Sequence, residues 1–169
     1  MKYLLIFILF SVKILNAQNT AVDSLVKAVK LEKRDTAKLR IYKELVGQSS
    51  NVDIALSLKY AKEAVALAEK TNNAEWKPVF YEAQGRNHAN MVELDSAMAF
   101  FDKASAGYKA INNTRGEATT KFKIAWVYKR KGEVDKALNY DLAALKLMEL
   151  LDDKRGICDA MSRVADDLM

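Results

Sequence analysis

The feature that most constrains this chain is a repeat of forty residues. The stretch NNTRGEATT, which contains Arg115 and Gly116, is echoed by DDKRGICDA, which places Arg155 and Gly156 forty positions later. Three further columns keep this spacing: small residues at Ser57, Ala97 and Ala137, alanines at Ala64, Ala104 and Ala144, and aromatic residues at Tyr60, Phe100 and Tyr140. Because these columns agree in phase, we predict a chain built of repeated structural units.

Each repeat is predicted to be a pair of amphipathic α-helices. In the second helix of one unit, apolar residues advance by four and three positions and form a single stripe: Val134, Leu138, Leu142, Leu145 and Met148. One proline and six glycines in 169 residues leave few helix breakers. The predicted helices span residues 21–33, 37–48, 53–70, 75–91, 95–111, 115–131, 134–151 and 154–168.

The ends of these helices carry their own signals. Asp95 and Asp135 stand at the start of second helices and are predicted to accept hydrogen bonds from the free backbone N–H groups of the first turn. Asn113 or Thr114 is predicted to do the same for a first helix. Gly132 is predicted to end its helix in a left-handed conformation.

These columns resemble the tetratricopeptide repeat family, in its variant of forty residues per repeat. Ala97, Phe101 and Ala104 match the family's succession of alanine, aromatic residue and alanine in the second helix. In the next unit the matching residues of the two helices are Ala125, Tyr128, Ala137 and Ala144. HEAT-like helix pairs have similar periods and remain an alternative.

The resemblance implies an all-α fold, a right-handed α-solenoid of antiparallel helix pairs, with residues 18–169 as one tetratricopeptide-like domain. The expected units are about 37–70, 71–110 and 111–150, followed by a partial unit, 151–169. Several residues depart from the family pattern, among them Leu45 and Gln48, which replace the small and aromatic residues of the first unit. Asp141 stands where an aromatic residue is usual, and His88 stands where tyrosine is common.

The N-terminal segment MKYLLIFILFSVKILNAQNT has the pattern of a secretory signal peptide. Lys2 gives it a positive start, and only Ser11 is polar among the ten residues that follow. Cleavage is predicted after Ala17, so that residues 1–17 form the signal peptide. Lys13 interrupts the apolar run well before the ~20 residues that a membrane span needs. We therefore expect an extracytoplasmic mature chain, periplasmic or secreted, without a membrane span; an uncleaved membrane anchor is the alternative.

Residues that carry chemistry are sparse. His88 is the only histidine and Cys158 the only cysteine, so one chain can form neither a disulfide framework nor a multi-cysteine metal site. We predict a packing role for His88. The Arg-Gly pairs recur in phase, which is typical of a structural joint, whereas a phosphate loop occurs once with its own glycines. We therefore predict no enzyme activity, no metal and no cofactor.

Binding is the remaining class of function. In the tetratricopeptide family the first helices line a concave face, and the resemblance implies such a face here. The positions selected by repeat phase are Tyr42, Arg86, Asn90, Lys123, Trp126, Lys129, Arg130 and Arg163. They indicate a basic groove with aromatic platforms, suited to an extended acidic peptide. The formal charge of +5 is otherwise spread among acidic residues, which argues against nucleic-acid binding.

The predicted function is a non-catalytic protein–protein interaction scaffold that is exported from the cytoplasm. The alternative is the N-terminal sensor portion of a longer signalling protein, because the chain resembles signal-led repeat regions that precede histidine kinases, nucleotide cyclases or transcription regulators in bacteria. The partial unit, residues 151–169, has a first helix without a second. This helix either caps the array or mediates self-association.

Overall fold

The computed structural model describes residues 20–168, and the predicted signal peptide, residues 1–17, lies outside the described residues. Eight helices and no β-strand occur within 20–168: α1 (20–31), α2 (Asp35–Ser49), α3 (Ile54–Lys70), α4 (Trp76–Asn90), α5 (Leu94–Ala110), α6 (Thr114–Arg130), α7 (Val134–Leu150) and α8 (Lys154–Leu168). Each helix begins and ends within two residues of its predicted bounds. The prediction of an all-α fold is confirmed.

The chain divides into two compact units, one ending at Thr71 and the other beginning at Asn72. In the first unit α2 packs against α3. Ser57 of α3 is fully buried, and its hydroxyl donates a hydrogen bond to the carbonyl oxygen of Val46 on α2, 2.8 Å away. The core of this unit also contains Leu39, Leu45, Ala61 and Ala64. The finer division into units of about forty residues stays a prediction.

In the second unit the helices pack in chain order, α4 on α5, α5 on α6, α6 on α7 and α7 on α8. Small residues permit this close approach, and the alanines of the repeat columns are fully buried: Ala97, Ala104, Ala137 and Ala144. Phe101 and Ile124 fill one cluster of the core, and Phe122 and Met148 fill the next. The apolar stripe predicted on α7 is only partly buried, because Val134 and Leu142 are exposed. The buried face of α7 consists instead of its small residues with one polar and one large side chain: Ala137, Asp141, Ala144 and Met148.

Left-handed residues recur every twenty positions in the turns of the second unit. The residues with positive φ are Asn72, Val92, Asn112, Gly132 and Asp152, with φ between 49° and 77°. The N–H of Val92 bonds to the carbonyl oxygen of Ala89 at 3.0 Å, and the N–H of Glu93 bonds to that of His88 at 2.9 Å. This pair of bonds is the Schellman motif, which satisfies the last carbonyl groups of a helix. The predicted left-handed Gly132 is confirmed, whereas Val92 adopts this conformation with a β-branched side chain and is strained.

The helix N-termini differ in part from the prediction. Asp95 and Asp135 are not N-caps, because α5 and α7 begin one residue before them and place both carboxylates inside the first turn. There they still interact favourably with the helix dipole. The prediction for α6 is confirmed at Asn113, whose side-chain oxygen accepts a hydrogen bond from the N–H of Gly116 at 2.8 Å.

The recurrent Arg-Gly pairs lie where one helix passes closely over the preceding one. A Cβ on Gly116 would come within 2.5 Å of the Tyr108 ring of α5, so glycine is required at this crossing. Gly156 meets a side chain of α7 in the same way. Arg115 also forms an ion pair with Asp153, whose carboxylate accepts a hydrogen bond from the N–H of Gly156. Both pairs therefore lie at close contacts between successive helices, which agrees with the structural role predicted for them.

A membrane-crossing helix is not found in the described part of the chain, where every helix is too short or too polar to span a bilayer.

Candidate functional site

Five of the eight residues selected by repeat phase line one groove in the second unit. The groove has a volume of about 200 Å³ and lies along α4, α6 and α8. Arg86 and Asn90 lie four residues apart on α4, and Lys123 and Trp126 lie three apart on α6, so each pair shares a helix face. Arg163 of α8 completes the rim. The five residues, which were selected by their position in the repeat, therefore lie together in the fold although they belong to three helices.

The floor of the groove is apolar. It consists of Ala89, Phe101 and Phe122, of which Phe101 is 2% and Phe122 9% exposed. Trp126 stands at the rim and is 38% exposed. Repeat phase did not predict these three floor residues as part of the site, although the alanine–aromatic pattern around Phe101 indicates a packing position. The groove can hold an apolar side chain beside cationic groups.

The three cations of the rim differ in how far their charge is compensated. The Lys123 ammonium lies 2.8 Å from a carboxylate oxygen of Glu82. The Arg163 guanidinium lies over the Phe122 ring, 4.9 Å from its centroid. Arg86 is exposed, and no carboxylate within residues 20–168 forms an ion pair with it. Arg86 is therefore the rim cation with most charge available to an anionic ligand.

Two predicted residues, Lys129 and Arg130, follow Trp126 on α6 and lie outside the lining of the groove. The Arg130 guanidinium lies 5.4 Å from the centroid of the Trp126 ring and extends the rim. The Lys129 ammonium lies 2.6 Å from a carboxylate oxygen of Asp167 and 3.6 Å from one of Asp141. Because these two carboxylates compensate the charge of Lys129 within the protein, Lys129 is not among the proposed ligand contacts.

Tyr42, the eighth predicted residue, belongs to the first unit and is only 7% exposed. Its hydroxyl donates a hydrogen bond to Glu63 at 3.0 Å, and its ring packs against Tyr60 with centroids 6.3 Å apart. Burial, followed by the neighbouring Glu63 carboxylate, raises the pKa of Tyr42 to about 12. Tyr42 is a packing residue that presents little surface to a ligand.

Asp141 belongs to a buried charge cluster that the sequence analysis did not assemble. It is fully buried on α7, at the repeat position that Phe101 occupies on α5. Burial, followed by the neighbouring Asp167 carboxyl, raises the pKa of Asp141 to about 6, although Arg163 and Lys129 oppose the shift. The cluster joins α6, α7 and α8. In the sequence, this cluster is indicated only by Asp141, which stands where the repeat pattern has an aromatic residue.

A second cavity, of about 570 Å³, adjoins the groove and shares Phe122 and Arg163 with it. Arg115 and Arg155 also line this cavity, and Arg115 is already paired with Asp153. The shared residues make the two depressions neighbours along α6 and α8. Together they offer room for an extended ligand rather than a compact one.

His88 has the packing role that the repeat pattern predicts. Its ring stacks on Phe100 with centroids 5.2 Å apart, and its Nδ1 lies 2.6 Å from a carboxylate oxygen of Glu93. One repeat later, Tyr128 stacks on Tyr140 in the same way. Among the described residues, no three histidine, cysteine, aspartate or glutamate side chains gather into an arrangement that could hold a metal ion.

No protein-family model matches the sequence, and no curated protein matches it. Several solved structures do. Aspartyl phosphate phosphatase F from Bacillus subtilis matches 90% of this chain with a TM-score of 0.81 at 14% identity. A signal transduction ATPase with numerous domains (STAND) from Pyrococcus horikoshii, which has a tetratricopeptide repeat sensor, matches 94% with a TM-score of 0.76 at 17% identity. The tetratricopeptide-like repeats of a putative kinesin light chain from Podosopora anserina match 89% with a TM-score of 0.70 at 14% identity.

This chain spans 42% of the Bacillus protein, 25% of the Pyrococcus protein and 77% of the kinesin light chain repeats. At these levels of identity the similarity concerns the fold. The chain has a tetratricopeptide-type helical repeat fold, and the resemblance seen in the sequence is confirmed at that level.

Proposed function

We propose that this chain is a non-catalytic protein-interaction scaffold that binds an extended acidic peptide in the groove along α4, α6 and α8. The observation that carries the proposal is the placement of Arg86, Lys123 and Arg163 around an apolar floor. The tetratricopeptide-type fold supports it, because successive helix pairs present a face along which an extended segment can lie.

The chemistry of the groove favours a peptide in which an acidic residue stands beside an apolar one. Arg86 and Arg163 can each hold a carboxylate through two parallel N–H donors, an arrangement stronger than a neutral hydrogen bond. An apolar side chain of the peptide then covers Phe101 and Phe122 and removes apolar surface from water. The amide of Asn90 can both donate to and accept from the peptide backbone.

Calorimetric titration with peptides that alternate acidic and apolar residues tests this proposal. We expect Arg86→Glu to weaken binding at least about tenfold, because an attractive charge becomes repulsive. We also expect the affinity of the unmodified protein to fall with added salt. Arg40→Glu alters an exposed arginine of the first unit and is the matched control, for which affinity should not change.

Two results would count against the groove. One is equal affinity of the Arg86→Glu variant and the unmodified protein. The other is equal binding of control peptides that carry lysine at every acidic position, because a basic rim must discriminate between the two signs of charge.

We also propose that the scaffold is exported, on the basis of the signal-peptide pattern in residues 1–17. A second candidate is the sensor portion of a longer signalling protein. The similarity to a STAND protein that has a tetratricopeptide repeat sensor favours it. Reading the coding sequence past codon 169 separates the two: an in-frame histidine kinase, nucleotide cyclase or DNA-binding region supports the sensor, and a stop codon supports the scaffold.

A further inference from the structure

The outer face of α8 carries an apolar stripe that is open to water. Cys158, Met161, Ala165 and Leu168 follow one another at intervals of three, four and three residues, so they share one helix face. All four are exposed, Met161 to 58% and Leu168 to 69%. The opposite face, which includes the fully buried Ala160, packs into the core of the second unit.

In the preceding repeat, the corresponding face of α6 is covered by α7. Forty residues earlier, the four positions are Ala118, Lys121, Ala125 and Tyr128 on α6. Ala118 and Ala125 are fully buried, and Tyr128 stacks on Tyr140 of α7 with ring centroids 5.4 Å apart. The exposed stripe of α8 is therefore the face with which this type of helix normally pairs.

We propose that this face of α8 pairs with α8 of a second copy of the chain, in antiparallel orientation across a twofold axis. Met161 is the middle residue of α8 and lies at the centre of the stripe, so the pairing brings the two Met161 side chains together at the axis. The stripe then lies against an equal stripe, and the contact closes as a dimer without growing further.

Charge selects the antiparallel orientation. Arg155 lies near the start of α8 and Asp166 near its end, eleven residues apart and hence on the same flank of the stripe. Both are exposed. In an antiparallel pair each arginine lies beside the partner's aspartate. A parallel twofold pair carries the two charged flanks to opposite sides of the contact, so these charges do not meet. The apolar stripe lies on the face of α8 opposite to Arg163 and leaves the groove open, whereas Arg155 also lines the neighbouring cavity.

Sedimentation of the purified chain over a range of concentrations tests the pairing. We expect a dimer, and at least about tenfold weaker association for Met161→Glu, because a carboxylate would be buried at the axis. Asp166→Lys should also weaken the dimer, and adding Arg155→Asp should restore it by exchanging the two charges. Asp135→Lys, at an exposed position on α7, is the matched control and should leave association unchanged. Because Met161 is exposed, its substitution leaves the fold intact, which circular dichroism verifies.

Oxidative cross-linking tests the orientation. In the antiparallel pair, the two Cys158 residues are displaced by six residues, or about 9 Å, along the helices and lie beyond disulfide reach. A double variant, Met161→Cys with Cys158→Ser, places its thiols at the axis and should cross-link readily. A chain that stays monomeric at every concentration would overturn the proposal. So would a dimer that survives Met161→Glu, or an unmodified chain that cross-links through Cys158 as readily as the double variant does.

Discussion

Replacing Asp141 by asparagine isolates the energetic effect of one buried carboxyl group. Asp141 is fully buried, and burial together with the Asp167 carboxyl raises its pKa from the ordinary value of 3.8 to about 6. Asparagine has nearly the same shape and size but carries no charge. The substitution therefore removes the titration of this position while it preserves the packing volume.

The sign of the pH dependence follows from the direction of this shift. Since the pKa of Asp141 is higher in the folded than in the unfolded protein, the folded state binds more protons between pH 3.8 and about 6. The free energy of unfolding therefore falls as pH rises through this window. The rise of this pKa from 3.8 to about 6 corresponds to a change of at most ~3 kcal/mol in the free energy of unfolding. Because the Lys129 side chain is 29% exposed and admits water to the cluster, we expect about 2 kcal/mol.

The assay is urea denaturation, followed by far-ultraviolet circular dichroism at a series of pH values from about 3 to about 7 (about one pH unit either side of the window). The quantity of interest is the free energy of unfolding of the unmodified protein minus that of Asp141→Asn. Subtraction cancels other carboxyls, such as Asp153, whose pKa is lowered by the N–H of Gly156 and by Arg115, and whose contribution has the opposite slope. The difference should fall by about 2 kcal/mol as pH rises. A difference that is independent of pH, or that grows with pH, would refute the reasoning.

Three further substitutions test the buried charge cluster, with an exposed control, and the turns. Lys129→Met removes the cation that pairs with two buried carboxylates and should lower the free energy of unfolding by about 3 kcal/mol at neutral pH. Lys131→Met breaks an exposed pair with Asp95 and should have a much smaller effect in the same urea titration; equal losses would contradict the importance of burial. Val92→Gly should raise the free energy of unfolding by about 1 kcal/mol, since glycine relieves a φ of 62° at an exposed position. A lower thermal midpoint for that variant would show that Val92 is not strained.

Local periodicity explains why so much of the fold could be predicted from the sequence. A forty-residue period fixes where each helix begins. Apolar spacing was a poorer guide to the buried face, because Val134 and Leu142 of the predicted α7 stripe are exposed. Small residues such as Ala97 and Ala137 mark the close helix contacts, and both are fully buried. Helix caps were less predictable. Asp95 and Asn113 are both residue types that cap helices, but Asn113 is the N-cap of α6, whereas Asp95 lies two residues after Glu93, the N-cap of α5.

The candidate site was predictable only as far as repeat phase reaches. Phase places Arg86, Trp126 and Arg163 on first helices, and the structure brings them to one groove. Phase does not show which cations are already paired, because pairing depends on side chains distant in sequence. Lys129 is the clearest case, since one of its partners, Asp167, lies two helices later. Its place in the buried cluster follows from tertiary packing alone.

The twenty-residue spacing of left-handed turn residues has a consequence for how this chain can change in length. A block such as residues 92–131 begins at one left-handed residue and is followed by another, Gly132, so its two junctions have the same backbone conformation. Such a block can be duplicated or excised while every remaining helix keeps its bounds. A single inserted residue, by contrast, rotates all later side chains of its helix by about 100° and turns the buried stripe towards water. The length of the array can therefore change only by whole helix pairs.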